Sequence, residues 1–455
     1  MFEGVEVCVS CEFISFQHCL RLNCTPIVIN HSSKNWETHV RSNRWQVVFL
    51  MMGYAALGHF NRIGITVAGD EIFIPKYEIS EVRMGWVYTA FLIVYTLGMI
   101  PGGWLIDRWG SLRVLTLFGL GMGAFVALTG SLGWMTSAAT ALFIGLLVIR
   151  SLAGACNAPL HPGAAHVVSD LMPSSRRASA NGMITAGALI GIACCYPVFG
   201  WLIDSVTWPW AFVVSGAALM LYGVLWRWLA ASALPAPEKQ PLVKGSLDSQ
   251  AAWLLFRRRD LWWITLSYAA YGYFQYLFFY WMGYYFKDVL HVPPVDARWA
   301  QFWIMLAQGA GMAIGGLGTD VICRRLGTLL GRRVIVMVGM GLGAVFGVLA
   351  VNVEGLSNVA GSLALAMAAT GMVEGVFWTT ATDIGGQSRG LSGAFMNTGG
   401  NIGGLISPVL TPFIAEYIDW TGSIVLACVV SAVGGLLWFL IDPQDATVSD
   451  EATAT

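Results

Sequence analysis

Twelve apolar runs, separated by short charged turns, are the feature that most constrains this chain of 455 residues. A helix needs about 20 apolar residues to cross the hydrocarbon core of a bilayer. The pattern therefore predicts an all-α membrane protein with twelve transmembrane helices. The runs lie near residues 45–70, 84–106, 112–134, 138–168, 178–203, 210–231, 261–287, 299–322, 333–353, 357–384, 391–415 and 422–441.

The low content of charged residues supports this class. Charged residues make up only 11% of the chain, whereas soluble domains carry roughly 25%. So few charges could not cover the surface of a water-soluble protein of this length. The net charge of −1 argues against a nucleic-acid partner. We expect the protein to lie in the lipid bilayer as a monomer.

The runs divide the chain into two helical halves and three polar segments. Cys8, Cys11, Cys19 and Cys24 lie in the N-terminal segment without the tight second pair that a zinc site needs, so we expect no metal. The predicted parts are a disordered cytoplasmic tail (1–43), a six-helix bundle (44–231), a central cytoplasmic loop (232–258), a second six-helix bundle (259–441) and a cytoplasmic tail (442–455).

The two halves resemble each other at an offset of about 212 residues. Gly187 and Gly191 recur as Gly399 and Gly403, and further pairs in the same order are Pro197 with Pro408 and Trp208 with Trp420. A parallel repeat of this kind predicts a pseudo-symmetric fold with a substrate site between the halves near the membrane midplane. The halves then rock to expose that site to each side in turn.

Basic residues are concentrated on one set of loops, which the positive-inside rule assigns to the cytoplasm. An even number of spans then places both termini in the cytoplasm, and we expect a cell inner (plasma) membrane protein. The basic set is Arg108, Arg113, Arg176, Arg177, Arg257, Arg258, Arg259, Arg324, Arg325, Arg332, Arg333 and Arg389, whereas the opposite set has only Lys76, Arg83, Lys287 and Arg298.

The loop between the second and third runs predicts a gate at the cytoplasmic end. Here a glycine that allows close helix contact precedes an acid at a helix end beside arginines, and such a cluster can form a latch that breaks when the halves rock. The alternative is an ordinary basic loop. The gate residues are Gly103, Asp107, Arg108, Gly110 and Arg113, with Asp320 and Arg324 as the echo in the second half.

This loop resembles the signature loop of the major facilitator superfamily, and the resemblance covers nearly the whole chain after the tail. Three further segments are similar to the anion:cation symporter family, whose members carry galactonate, hexuronates, phthalate-like acids and other organic anions. These segments are His59-Phe-Asn61-Arg62-Ile-Gly-Ile-Thr-Val-Ala68, Tyr95-Thr-Leu-Gly-Met-Ile-Pro101-Gly-Gly-Trp-Leu-Ile-Asp107 and Arg150-Ser-Leu-Ala-Gly-Ala-Cys-Asn157.

Two arginines lie deep inside spans, where charge is costly and marks function by default. Arg62 is about 27 Å of helix rise beyond Arg44, and Arg150 is about a dozen residues into the fourth span. Few acids in the spans could pair with them. We therefore favour an anionic ligand, because guanidinium groups bind carboxylates through two hydrogen bonds, over a structural ion pair.

Polar and aromatic residues in the spans complete the candidate substrate site. Amides can bind hydroxyl groups and an indole can stack on a sugar ring, although hydrogen bonding between helices is the competing explanation. The resemblance implies that ligand-binding positions fall at Arg62, Tyr95, Gln275, Trp378 and Asn397 or Asn401. With Arg150, His59, Asn61 and Asn157, these residues are the predicted substrate-binding set.

The chain departs from the family at two positions that matter for coupling. Asn61 and Asn157 stand where many proton-coupled members have acids, and asparagine cannot titrate. The remaining coupling candidates are Glu374, His59 and Asp383, of which Asp383 lies close to the predicted cytoplasmic end. Removal of two acids also favours a substrate with more negative charge, such as a dicarboxylate or a sulfonate.

The predicted function is secondary transport of a small organic anion, a sugar acid or another carboxylate, with H⁺ or Na⁺ as coupling ion and no cofactor. An organophosphate:phosphate antiporter ranks lower, because Gln275 takes the place of that group's second arginine. A transceptor, which binds its ligand without moving it, is the third reading. An enzyme is not expected, since neither a histidine cluster nor a nucleotide-binding loop is evident.

Overall fold

The computed structural model describes residues 33–234, 257–385 and 389–442, and within these ranges every regular element is a helix. The chain divides into two units, Met1–Asn43 and Arg44–Thr455, and the second contains the membrane helices. The N-terminal cysteines, most of the predicted central loop and nearly all of the predicted C-terminal tail lie outside the described residues.

The first half carries the predicted spans one to six. A π-helical turn, Gly69–Phe73, extends the first helix, and the fourth span is made of two helices that meet near Pro159. The helices are α1 (Ser33–Ala68), α2 (Ile74–Tyr77), α3 (Glu81–Trp109), α4 (Ser111–Met135), α5 (Ala139–Asn157), α6 (Leu160–Leu171), α7 (Ser174–Val206) and α8 (Trp208–Ala230).

The second half repeats this order. A π-helical turn, Tyr285–Val289, follows its first helix, and its fourth span is again made of two helices. The helices are α9 (Arg259–Tyr284), α10 (Pro294–Leu326), α11 (Thr328–Ala350), α12 (Leu356–Gly371), α13 (Glu374–Gly385), α14 (Arg389–Tyr417) and α15 (Trp420–Leu436), which ends in a 3₁₀ turn, Leu437–Leu440.

The twelve predicted spans are confirmed by this order of helices. Within the described ranges, eight segments are long and apolar enough to cross a bilayer on length and composition alone. The other four, formed by α1, α9, α10 and α14, carry more polar side chains, among them Arg62 and Gln275. Polar residues inside a bundle mark functional positions by default, so these four helices are the first place to look for a site.

The repeated glycines show why the two halves fold alike. A Cβ added at Gly187 or Gly191 on α7 would collide with the backbone carbonyls of Met52 and Ala56 on α1. In the second half, Gly399 and Gly403 on α14 stand in the same way against the carbonyls of Thr265 and Ala269 on α9. Small residues let membrane helices approach closely, so the same contact brings each half's first and fifth spans together.

The two halves meet through two helix pairs, α7 with α10 and α3 with α14. The repeat relates these pairs to each other, because α3 and α10 are the second spans of their halves and α7 and α14 are the fifth. Between them, α1 of the first half reaches α9 of the second, where Arg62 donates a hydrogen bond of 2.9 Å to the hydroxyl oxygen of Tyr276. The candidate site is centred on this contact.

Candidate substrate site

Arg150 is buried, with 1% of its surface exposed, and its guanidinium is committed to the main chain of α1. One nitrogen donates to the carbonyl of Arg62 at 2.7 Å, and another lies 3.4 Å from the carbonyl of Asn61. Its guanidinium carbon also stands 4.7 Å from the ring centre of Phe91. Arg150 therefore fixes the segment of α1 that carries Arg62 through two of its nitrogens, whereas its Nε has no partner in the described part of the chain.

Arg62 is held among aromatic rings and keeps donors free. Its guanidinium carbon lies 5.4 Å from the ring centre of Tyr95 and 5.5 Å from those of Phe91 and Tyr276. Its hydrogen-bond partners are the phenol groups of Tyr276 and Tyr280, and its buried Nε has no partner in the described part of the chain. Cation–π contacts can hold a guanidinium in place without neutralising it, so this charge remains available to an anion.

Two buried amides flank the arginines. Asn61 donates from Nδ2 to the carbonyl of Leu57 at 3.0 Å, whereas its Oδ1 has no hydrogen-bond partner in the described part of the chain. Asn157, at the end of α5, has an equally unpartnered Oδ1. An unpaired buried acceptor costs free energy, so these oxygens are places where a ligand hydroxyl or a proton-carrying group would be stabilised.

The second half contributes a cavity of about 60 Å³ beside Tyr276. Gln275 is half-buried there and donates from Nε2 to the hydroxyl of Tyr271 at 3.2 Å. The structure thus brings three predicted amides into one cavity that adjoins the Arg62 contact. The lining residues are Tyr268, Tyr271, Gly272, Gln275, Tyr276, Asn397, Gly400 and Asn401.

Glu374 and Trp378 stand next to this cavity on α13. The Oε1 of Glu374 accepts hydrogen bonds from the Tyr268 hydroxyl at 2.7 Å and from the Trp378 indole at 2.9 Å. Trp378 is 39% exposed as a residue, so part of its surface can still contact a ligand. Asp383, by contrast, is 51% exposed in its side chain and pairs with Arg332 at 2.7 Å, which suits an ion pair at a helix end.

His59 does not stand alone. Its Nδ1 lies 2.9 Å from the carbonyl oxygen of Ala55, one turn earlier on α1. Its ring meets that of His161 on α6 at 5.2 Å between centres and an angle of 67°. His161 could not be predicted from the sequence, in which no histidine cluster is evident, because nothing in the primary sequence shows that α6 returns alongside α1.

The predicted gate at the Arg108 end is only partly described. The side chains of Asp107 and Asp320 lie outside the described part, so the latch stays a prediction. The expectation of close helix contact at Gly103 is wrong: a Cβ there would meet nothing, whereas one at Gly102 would lie 3.2 Å from the Pro159 nitrogen. Gly110 instead has the role of a turn residue, with a φ of 81° that favours glycine.

The three remaining gate residues, Arg108, Arg113 and Arg324, are exposed. The guanidinium carbon of Arg108 lies 5.2 Å from the ring centre of Trp104. Gly327, between α10 and α11, has the same φ of 81° as Gly110, so the turn that carries the gate is repeated in both halves.

The opposite end of the bundle contains an ion-pair cluster that the sequence analysis missed. Arg298 at the start of α10 donates to both carboxylate oxygens of Glu71, with Nε at 2.8 Å, and also to Asp204 at the end of α7. Lys287 donates to the carbonyl of Asp70 at 2.6 Å. The cluster ties the two halves together, and we call it the Arg298 cluster. The sequence offered one indication of this cluster: basic residues are rare at this end of the bundle, so each of them was a candidate for an ion pair.

The comparisons with known proteins agree with this architecture. The model of the Major Facilitator Superfamily matches residues 45–386 and 303–454. The chain belongs to the major facilitator superfamily. It is therefore a membrane transporter and not an enzyme, and the family resemblance noted from the signature loop is confirmed.

Several relatives within the superfamily span nearly the whole chain. A probable galactarate/D-glucarate transporter of Bacillus subtilis is 27% identical over 88% of this chain and 92% of its own. A probable sulfoacetate transporter of Cupriavidus necator is 27% identical over 85% and 91%, respectively. A D-galactonate transporter of Escherichia coli is 24% identical over 88% and 95%.

A solved structure shows the same fold. A bacterial homologue of the human lysosomal transporter Spinster, in an inward-facing and unoccupied conformation, superposes with a TM-score of 0.71 over 90% of this chain and 98% of its own. At 18% sequence identity, the match supports the twelve-helix fold and says nothing about the ligand.

Proposed function

We propose that this protein is a secondary active transporter of an organic anion, a sugar acid or another carboxylate, that works by alternating access with cation-coupled symport. The observation that carries the proposal is Arg62, a buried guanidinium that no carboxylate neutralises within the described ranges. A charge of this kind inside a membrane bundle is costly unless a ligand uses it. The three relatives described above are named as transporters of organic acids, which supports the same ligand class.

The neighbouring cavity supports a ligand with hydroxyl groups. Gln275, Asn397 and Asn401 offer amide donors and acceptors in the cavity that Tyr276, the hydrogen-bond partner of Arg62, also lines. Trp378 offers an exposed surface beside it. A polyhydroxylated acid would place its carboxylate at Arg62 and its hydroxyl groups along these amides. The aromatic walls suit a small, partly apolar carbon chain.

The distribution of contacts between the halves supports alternating access. The ion pairs that join them within the described ranges belong to the Arg298 cluster, at the end opposite Arg108. We propose that the Arg108 end faces the cytoplasm of an inner (plasma) membrane protein with both termini inside. The described arrangement is then closed towards the outside, and transport requires the Arg298 cluster to open.

A two-stage experiment tests this function. Purified protein is first screened by thermal shift against organic anions, because a ligand that binds the native state raises the melting temperature by mass action. Uptake of the hits is then measured in proteoliposomes. We expect a carboxylate to stabilise the protein and to be taken up. Binding without uptake would indicate a transceptor, and exchange of organophosphate for phosphate would indicate the antiporter reading.

A further inference from the structure

His59 and His161 form a pair of imidazoles inside the first half, next to Arg62. The ring centres are 5.2 Å apart, edge to face, on α1 and α6. Arg62 is one helical turn beyond His59 on the same face of α1 and interacts electrostatically with both rings. Three groups that can carry positive charge therefore converge on one point of the bundle.

The hydrogen bond of His59 defines which nitrogen is free. Because a carbonyl oxygen only accepts, the Nδ1 of His59 must carry the hydrogen that it shares with Ala55 at 2.9 Å. In the neutral ring the Nε2 is then a bare acceptor, ready to take a proton. His161 is half-buried and has no side-chain hydrogen bond in the described part of the chain. Both rings thus keep a nitrogen for a ligand or a proton.

Among the described side chains, no carboxylate interacts with either ring of the pair. Of the helices packed nearby, α4 has only Arg113, at its exposed start. His166 and Asp170, further along α6, pair with each other at 3.1 Å. Arg62 on α1 is the charged group that interacts with both rings. Among the titratable or charged side chains of the other helices are Tyr95 on α3, Arg150 and Cys156 on α5, and Cys195 on α7.

The charges at the site match a ligand with two anionic groups. Arg62 can bind one carboxylate through its fork, whereas both terminal nitrogens of Arg150 already contact main-chain carbonyls. A second anionic group needs a further cation, and protonation of an imidazole beside Arg62 is opposed by like charge unless an anion arrives with it. A proton and a second anionic group therefore favour each other's binding.

We propose that His59 and His161 form a second anion subsite, which binds the second carboxylate or sulfonate of a dianionic substrate and takes up one proton with it. The proposal rests on the proposed transport of an organic anion and names its charge class and coupling ion. The proton adds to an imidazole nitrogen when the substrate enters from one side. It leaves from the same nitrogen when the substrate departs on the other side, so one proton moves with each dianion.

The test measures dissociation constants of purified protein at about pH 6 and about pH 8 for galactarate, sulfoacetate and galactonate. Linkage of one proton makes dianion binding up to tenfold tighter for each unit that the pH falls, whereas galactonate, with one carboxylate, should show little change. Whichever of galactarate and sulfoacetate has the lower dissociation constant identifies the second anionic group as a carboxylate or a sulfonate.

Variants assign the effect to the pair. His161→Gln and His59→Gln should remove the pH dependence and bring dianion affinity down to that of galactonate, with melting temperatures near the parent's. His166→Gln is the matched control on α6 and should keep both properties. If His161→Gln folds poorly, His161→Phe replaces it with a ring of similar size.

Two results would overturn the proposal. Dianions that bind no tighter than galactonate, or a pH dependence that His161→Gln leaves intact, would show that the pair is not a subsite. Binding of galactonate alone would leave the proposed function standing while removing the second subsite. The absence of binding by every organic anion tested would overturn both.

Discussion

A guanidinium nitrogen of Arg150 donates a hydrogen bond of 2.7 Å to the main-chain carbonyl of Arg62, 88 residues earlier in the chain. One intramembrane arginine thus positions the backbone of the other. The two residues look equivalent in the sequence, since both are charges within apolar spans. Their contacts separate them into a positioning residue and a candidate ligand-binding residue.

Conservative substitutions of the two arginines should have different effects. Arg62→Lys keeps the charge but loses the fork, so we expect anion affinity to fall about 10- to 100-fold with an unchanged melting temperature. Arg150→Lys loses at least one buried charged hydrogen bond, so we expect it to cost ~2 kcal/mol of stability as well as affinity. Thermal shift and equilibrium binding measure both quantities. Arg83→Lys, an exposed arginine over Phe143, is the control, and equal loss of stability in both variants would contradict the assignment.

Glu374→Gln tests whether Glu374 is needed only as a hydrogen-bond acceptor or also as the group that carries the coupling proton. The glutamine carbonyl can still accept the hydrogen bonds that Tyr268 and Trp378 donate to Oε1, so we expect the variant to fold and to bind substrate. If the histidine pair carries the proton, Glu374→Gln keeps accumulation driven by a pH gradient. The measurement uses proteoliposomes with an imposed pH gradient and no membrane potential. Loss of accumulation in this variant, with retained binding, would move the coupling site to Glu374.

Weakening of the Arg298 cluster should open that end of the bundle. Arg298→Gln removes the charge that holds Glu71 and Asp204, which lie on the other half. We expect amide hydrogen exchange in Gly69–Ser80 to rise by about tenfold, which corresponds to ~1.4 kcal/mol of lost local stability. Arg83→Gln, at the same end but outside the cluster, should leave exchange as in the parent. Unchanged exchange in Arg298→Gln would mean that the cluster does not hold the end closed.

The repeat glycines offer a test of packing with a control on the same helix. An added methyl at Gly191 would strike the carbonyl of Ala56, three residues before His59, whereas a methyl at Gly182 would meet nothing. Gly191→Ala should therefore cost about 1–3 kcal/mol by overpacking and weaken anion binding through displacement of α1. Gly182→Ala should behave like the parent in melting temperature and binding. Equal melting temperatures for the two variants would contradict the close approach of α1 and α7.

Much of the candidate site was visible in the sequence because membrane helices obey strong rules. Arg62, Tyr95, Gln275, Asn397 and Asn401 were selected as polar or aromatic residues in apolar spans and by family resemblance, and the structure gathers them around one contact and one cavity. A charged side chain inside a bilayer is costly, so its presence in an apolar span is by itself an indication of function. Trp378 and Glu374 were selected in the same way and lie beside that cavity.

What the sequence could not reveal are the partners of these side chains. Arg150 could have been a second ligand-binding arginine, and only the course of α5 past α1 shows that its donors meet main-chain carbonyls. Gly103 could have been the close-contact glycine, but Gly102 faces the neighbouring helix. A shift of one residue rotates a side chain by about 100° around a helix, so small differences in register decide such assignments.

By itself, the sequence determined the twelve spans, the repeat of two halves and the set of polar residues inside the bundle, because these follow from the thickness of the bilayer and the cost of unpaired polar groups in it. The tertiary structure alone decided which of these residues meet. His161 with His59, Arg298 with Glu71 and Arg62 with Tyr276 are contacts between helices far apart in the chain. Such contacts depend on how the helices pack and cross, and helix packing is a property of the assembled bundle and not of any single span.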